Sequence, residues 1–404
     1  MNNTALTSPA QGLRVLDFTR VLAGPFCTLN LADLGAEVIK IEHPDGGDDT
    51  RRFLPPQRGG VSTYFLHVNR NKKSVTLNLA TAEGKRAATA LAQESDILVE
   101  NFRPGVMARL GLDYETLSAD HPELIYCSIS GYGSTGTLSD RAGLDPVIQA
   151  ECGLMSLTGE SDGEPMRIGV SLVDAMTGLY AANMILAAVV ARQHTGRGQR
   201  VETCLFDTGA NMLVNFASGY LLAGVEPTRV GNGNAVSQPA GVFEAADGPF
   251  LVTVVGDRVF KRLCEQVLES PQLAQSPQFV DNTARLKNAD ALRKELNDRF
   301  GRANRDEWLP KLRAAGIPAG EIRGIESALS SDEFKARDLL RNVEHPSLGS
   351  LPTLRSPMHF DDTPTAPPVA APELGQHTQS VLTEIAGYDE ESIAQLKAAG
   401  AIPE

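Results

Sequence analysis

Leu13-Arg-Val-Leu-Asp-Phe18, Phe26-Cys-Thr-Leu-Asn-Leu-Ala-Asp-Leu34 and Glu37-Val-Ile-Lys-Ile-Glu42 follow one another with only short joints between them. The first and third alternate as strands, while the second has helical spacing and stops at Gly35. A strand, a crossover helix and a second strand form a β-α-β unit of Rossmann size, and such units build parallel sheets. The joint Thr19-Arg-Val-Leu-Ala-Gly-Pro25, read as a turn over Val21–Pro25, has one glycine where a dinucleotide fingerprint uses three, which argues against nicotinamide binding.

The same rhythm continues. Ser74–Leu79, Asp96–Asn101 and Leu124–Ile129 read as strands, and Ala82–Gln93 as an alanine-rich helix. In such sheets ligands bind beyond the carboxyl ends of strands, where Asn101-Phe-Arg103 falls. The loop Ser130–Gly136 is glycine-rich but lacks the Lys-Ser/Thr ending of a phosphate-binding loop, which disfavours nucleotide hydrolysis.

Gly169-Val-Ser-Leu-Val-Asp-Ala-Met-Thr-Gly178 leads into Leu179–Ala191, a nearly charge-free run too apolar for an exposed helix and too short to span a bilayer. It reads as a core helix whose first turn holds Asp174. Ser171 and Asp174 have capping-box spacing, so Asp174 is a cap, a nucleophile, or both. Asp145, after Leu144, reads as a second acid, either a helix cap or a group positioning Asp174 or an acceptor.

After Phe206 the α/β rhythm breaks. Gly224–Gly241 is crowded with glycine, asparagine and proline, as in a linker or mobile loop. A hairpin is expected over Val242–Val255 and helices over Asp257–Ala315, with Trp308 in a core. Leu351–Pro372 reads as an extended proline-rich wrap, and a last helix as Glu391–Ala399. The expected organisation is a large domain over 1–222, a linker and small α+β domain over 223–330, and a C-terminal segment over 331–404.

A formal charge of −13 argues against nucleic acid and anionic membranes as partners. Against that background, Arg51–Arg109 holds ten Lys/Arg and four acids, a cationic region suited to a phosphorylated small molecule. Five scattered cysteines without a C-x-x-C pair point to a reducing cytoplasm, and seven histidines without an H-x-x-x-H pair advertise no metal site. Met1–Gly12 has no secretory pattern.

Several stretches together resemble the class III CoA-transferases, the family of formyl-CoA transferase and carnitine CoA-transferase. They are Val15–Pro25, Ala32–Glu42, Asn69–Ser74, Leu98–Met107 and Thr195–Val201, with weaker matches at Ala315–Pro318, Glu344–Pro346 and Leu374–Thr378. The resemblance implies a Rossmann-like large domain, a smaller domain, a C-terminal segment returning to the first, and a homodimer of interlocked rings. It implies Asp174 as the nucleophile and CoA contacts at Val21, Leu22, Ala23, His43, Leu77, Asn78, Asn101, Phe102, Arg103 and Arg109. It also implies acyl-CoA and a small carboxylic acid as substrates, with no tightly bound cofactor. A neutral His43 would hold phosphate less firmly than the arginine some relatives carry, and Gly231–Gln238 aligns with a mobile loop of some relatives.

Two other readings stay open. A related α-methylacyl-CoA racemase would need a histidine at the position of Leu144, and leucine exchanges no proton. A non-catalytic acyl-CoA-binding protein would not need Asp174. The acids exchanged are not legible, although the local arginines favour a succinyl-CoA donor and a dicarboxylate acceptor.

Overall fold

The structure, a computed structural model, describes residues 7–404, so the start of the Met1–Gly12 stretch lies outside the described residues. Six parallel strands form the main sheet: β1 (Arg14–Asp17), β2 (Glu37–Glu42), β3 (Lys72–Thr76), β4 (Ile97–Glu100), β5 (Ile125–Ser130) and β6 (Arg200–Cys204). Their spatial order is β3-β2-β1-β4-β5-β6. This is the doubly wound arrangement, and the chain reverses direction between β1 and β4.

Alternate residues of each strand feed two cores. Val15, Val38 and Ile97 face one, with α1 (Ala23–Asp33) and residues of the long helix described below. Leu16, Ile39 and Leu98 face the other, with α2 (Ala82–Gln93) and the C-terminal residues Val381, Leu382, Ile393 and Leu396. A strand buried on both faces carries apolar residues toward both cores, as Val15 and Leu16 do in β1 and Ile97, Leu98 and Val99 do in β4. The Val21–Pro25 turn is shorter than its sequence indicates. Helix α1 already starts at Ala23, and Pro25 sits in its first turn, where a missing N–H costs nothing. Strand β3 starts two residues and ends three residues earlier than expected, so Leu77 and Asn78 emerge beyond the sheet.

Further along the chain come α3 (Val106–Leu110), α4 (Asp145–Glu151) and α5 (Leu172–Thr195). Helix α5 has 24 residues, longer than the apolar run and long enough to cross a bilayer. It packs on α1 instead, through Ala181, Ala182, Ile185 and Ala188. A Cβ on Gly178 would come within 2.6 Å of the Ala23 carbonyl and 3.1 Å of the Cys27 nitrogen. The close crossing therefore depends on glycine one turn beyond Asp174.

The chain divides into two compact units. One contains the chain up to Leu154, Ile168–Val214 and Arg337–Glu404; the other contains Met155–Arg167 and Asn215–Ala336. The C-terminal segment therefore belongs with the main sheet, while 155–167, which the contiguous division puts in the large domain, counts with the second unit. That unit holds a three-stranded antiparallel sheet of Ala240–Ala245, Gly248–Thr253 and Ala319–Glu321, with helices around it. Trp308 is buried there and donates to the Phe300 carbonyl at 2.7 Å. Gly231–Gln238 is tied down within this unit. Asn282 donates to the Val236 carbonyl at 2.9 Å, Ser237 to Val254 at 2.8 Å, and the buried Arg285 to Gln238 at 2.7 Å.

Past the second unit, Leu340–His345 and Gly349–Leu354 form a hairpin whose last four residues, Leu351–Leu354, open the stretch expected to be extended. Beyond it the chain runs along the β3 edge. Asn71 N–H donates to Val369, His377 N–H to Ser74, and Thr76 N–H to the Thr378 hydroxyl.

Replacing Gly178 with alanine forces backbone atoms apart at the α1–α5 crossing. It is expected to cost about 1–3 kcal/mol and to lower the melting temperature by several degrees, read by thermal unfolding.

Candidate active site

The turn after β1 is held by side chains from three strands or their extensions. Asp17 is fully buried and accepts from the Thr19 N–H (2.8 Å), the Thr28 hydroxyl (2.7 Å) and Lys72 Nζ (3.2 Å). Burial alone would raise its carboxyl, but Lys72 and Lys40 hold it below the usual range. Lys40 Nζ donates to the Thr19 carbonyl at 2.7 Å and pairs with Asp48 at 2.9 Å. Asp48 accepts from the Val21 N–H at 3.3 Å. Asn101, just past β4, accepts from the Arg20 N–H at 2.9 Å and donates back to the Arg20 carbonyl at 2.8 Å. Val21 has φ +70°, a conformation a β-branched residue adopts only under constraint, at a cost on the order of 1–3 kcal/mol.

A cavity of about 230 Å³ opens where the chain reverses between β1 and β4. Val21, Leu22, Ala23, Asn101, Phe102, Arg103 and Asp174 all line it, so seven of the eleven residues singled out from sequence share one space. Arg20, Arg141 and Leu144 line it as well. Arg20 faces Asp49 at 3.6 Å and lies over the Phe102 ring; Arg141 is bound to Glu151 at 2.7 Å. Arg103 has no ion-pair partner among the described residues.

Asp174 stands in the first turn of α5. Among the described residues no donor reaches its carboxylate, and burial, then the negative charge of Asp145, pushes its pKa up to about 7. The expected capping box does not form, because Ser171 makes no side-chain cap bond. Asp145 takes that role from another helix. One of its oxygens accepts from the Val173 N–H (2.8 Å) and the Asp174 N–H (3.1 Å), the other from Gln149 Nε2 (2.6 Å).

A second cavity of about 310 Å³ has apolar walls, Phe18, Ile41, Leu77, Leu79 and Leu110, with Arg20, Lys40, His43 and Asn78 around them. Phe102 and Arg20 line both cavities. The His43 Nδ1 accepts from the Asp45 N–H at 3.0 Å, which leaves Nε2 as the outward nitrogen. Asn78 is committed to the C-terminus: its N–H donates to Ala401 at 2.7 Å and its Nδ2 to Gly400 at 3.2 Å. Arg109 is exposed on α3 and lines neither cavity; its neighbour Leu110 does.

Half of the cations in the Arg51–Arg109 stretch are neutralised by ion pairs. Arg51, Arg70, Lys72, Lys73 and Arg86 pair with Glu42, Asp33, Asp17, Glu37 and Glu83, four of which precede the stretch in the chain. A charge count over a window misses partners that folding brings from outside it.

The profile of CoA-transferase family III matches residues 11–378. The chain belongs to that family. Human succinyl-CoA:glutarate CoA-transferase is 38% identical over 402 residues, covering 100% of this chain and 91% of the human protein. The acetyl-CoA:oxalate CoA-transferase of Acetobacter aceti is 41% identical over 334 residues, covering 82% and 85% of the two chains. The crystal structure of a CAIB/BAIF family protein from Brucella suis superposes with a TM-score of 0.86 at 38% identity, covering 94% of this chain and 100% of that one. The protein is thus a class III CoA-transferase with a parallel α/β sheet.

In the transferase, sequence reading missed Arg20, Lys40 and Asp48 as organisers of the first turn. Arg20 and Lys40 lie inside quoted motifs, but nothing local says that their partners are Asp49, Asp48 and a backbone carbonyl. The site has a pH signature. The carboxylate form of Asp174 falls away below about pH 7, so kcat/KM is expected to drop on acidification through that value and to level off above it. Stability runs the other way. The unfolded side chain ionises near 3.8 and the folded one near 7, so folding disfavours the charge increasingly from about pH 4 to 7. Asp174→Asn is therefore expected to melt a few degrees above the parent at pH 8, with the gap closing toward pH 4; equal melting at both ends would refute the strained carboxylate.

Proposed function

We propose that the enzyme transfers CoA from a dicarboxylic acyl-CoA, with succinyl-CoA as donor, to a small dicarboxylate through covalent intermediates on Asp174. The observation that carries this reading is the carboxylate itself, half-buried in the cavity at the strand switch point and reached by no donor among the described residues. An Asp174 oxygen attacks the thioester carbonyl, and the C–S bond breaks to give a mixed anhydride and CoA thiolate. The thiolate attacks the aspartyl carbonyl, releasing the donor acid and leaving an aspartyl thioester. The acceptor carboxylate attacks that thioester and expels the thiolate, which then attacks the acceptor carbonyl and restores Asp174. No step needs a proton, which suits a site without a paired acid.

The residues present fit CoA. The apolar slot between Phe18, Leu77 and Leu110 suits a flat base, and His43 and Arg20 at its edge suit phosphates. Val21, Leu22, Ala23 and Phe102 would line the path of the thioester arm, with Arg109 outside the slot reaching a phosphate from solvent. Asn101 and Asn78 serve this site through the backbone they hold. Arg103, without an ion pair among the described residues, is the cation left for the distal carboxylate of a dicarboxylic substrate; glutarate and oxalate, the acids in the names of the human and Acetobacter relatives, support that acceptor class, and the human relative's succinyl-CoA, beside the Acetobacter relative's acetyl-CoA, supports the donor.

A homodimer of interlocked chains, in a cytoplasmic setting, completes the proposal. Leu179, Tyr180 and Val190 are exposed on α5, and the helix Val214–Ala223 buries none of its residues. Sedimentation is expected to give twice the chain mass.

The decisive experiment mixes the enzyme with succinyl-CoA and hydroxylamine, expecting a hydroxamate on the peptide that contains Asp174. Asp174→Ala is expected to lose exchange by at least about 10³-fold. A panel of carboxylic acids, read by mass spectrometry, is expected to favour dicarboxylates; turnover confined to monocarboxylates would overturn the substrate class.

A further inference from the structure

We propose that Asp145 and Gln149 form a strap that positions the nucleophile, tying the entry and first turn of α5 to α4. This rests on Asp174 being the attacking carboxylate. Both side chains are buried, Asp145 at 2% exposure and Gln149 at 0%. Together they reach three backbone N–H groups at the two ends of the seven-residue stretch Ile168–Asp174: Gln149 Oε1 accepts from Ile168 at 2.8 Å, and Asp145 accepts from Val173 and Asp174. The remaining contact, Gln149 Nε2 to Asp145 at 2.6 Å, joins the two. Every partner of Asp145 in this set is a donor, the pattern of an ionised carboxylate. The strap does what Ser171 fails to do, and it does so from a different helix.

The strap has an electrostatic consequence as well as a geometric one. A helix N-terminus ordinarily stabilises an acid in its first turn. Here the N–H groups of Val173 and Asp174 are already occupied by Asp145, so the favourable end of the dipole is taken by the wrong acid from the standpoint of Asp174. What Asp174 meets is a neighbouring anion. The other charged or titratable groups facing its cavity are Arg20 paired with Asp49, Arg141 paired with Glu151, and Arg103. The phenol of Tyr64, within electrostatic reach of Asp174, Asp48 and Asp145, is pushed up by burial and those three anions, so it stays neutral. Burial and a neighbouring like charge make Asp174 a stronger base and a stronger nucleophile toward a thioester carbonyl.

The test compares the full-length wild type with Asp145→Asn, Gln149→Met and Asp174→Ala, measuring exchange from succinyl-CoA across pH 5–9 alongside melting temperature. Asp145→Asn removes the charge at nearly constant shape. Its acid limb is expected to move to lower pH, raising the pH 6 to pH 8 rate ratio about threefold or more, while kcat at pH 8 falls about tenfold with little change in KM. A folded Asp145→Asn with the wild-type limb and wild-type kcat would overturn the strap. Gln149→Met keeps the charge and cuts the strap at its middle, so it reads the geometric half even if Asp145→Asn does not fold. Its kcat is expected to fall about tenfold with the acid limb in place, and a wild-type kcat would overturn the proposal. Exchange surviving in Asp174→Ala would instead remove the nucleophile reading, an outcome distinct from either.

Discussion

A negative charge without access to water sits at the end of the first strand, and the site is built around it. Asp17 holds the Thr19 turn, receives Thr28 from α1 and is paired with Lys72 from β3. Lys40, equally buried, extends the same network to Asp48 and through it to Val21. Taking four charges out of water is expensive, and apolar side chains of similar volume could match the stability. They could not aim hydrogen bonds at successive backbone groups. The network holds Val21 in a left-handed conformation and starts α1 two residues later, and that start forms one wall of the Asp174 cavity.

The opposite wall depends on close backbone approach. Gly178 lets α5 lie against the Ala23 carbonyl, and Gly131 and Gly143 touch in the same way, a Cβ on either meeting the other's Cα within 2.6 Å. The second contact brings the segment leading to α4 over the end of β5 and delivers Asp145 to the start of α5. Two acids then divide two tasks that one residue was expected to perform. Asp145 satisfies the helix N-terminus and Asp174 is left unpaired. Leaving a half-buried carboxylate without a donor costs stability, and the fold bears that cost at Asp174.

The second face of the sheet shows how the fold closes. The C-terminal residues Val381, Leu382, Ile393 and Leu396 complete a core begun by β1, β2 and β4. Gly400 and Ala401 end against Asn78 beside the apolar slot. The last turn of the chain therefore anchors one edge of the apolar slot, and the excursion into the second unit is closed off by a return to the first.

Sequence periodicity was enough to establish the β-α-β opening, the parallel sheet and α2 to the residue, because these follow from spacing within one element. The motifs carried the family and, in Arg20–Ala23 and Asn101–Pro104, two of the segments that line the Asp174 cavity. What spacing could not reveal were pairings between distant segments. Arg51–Arg109 looked cationic because its partners Asp17, Asp33, Glu37 and Glu42 lie upstream. Ser171 looked like a cap because Asp145, which displaces it, is twenty-six residues away in the chain. The sequence by itself determined which residue types are available for the chemistry. Only the tertiary structure decided which carboxylate is spent on hydrogen bonds and which stays free, since that depends on which donors folding brings within about 3 Å.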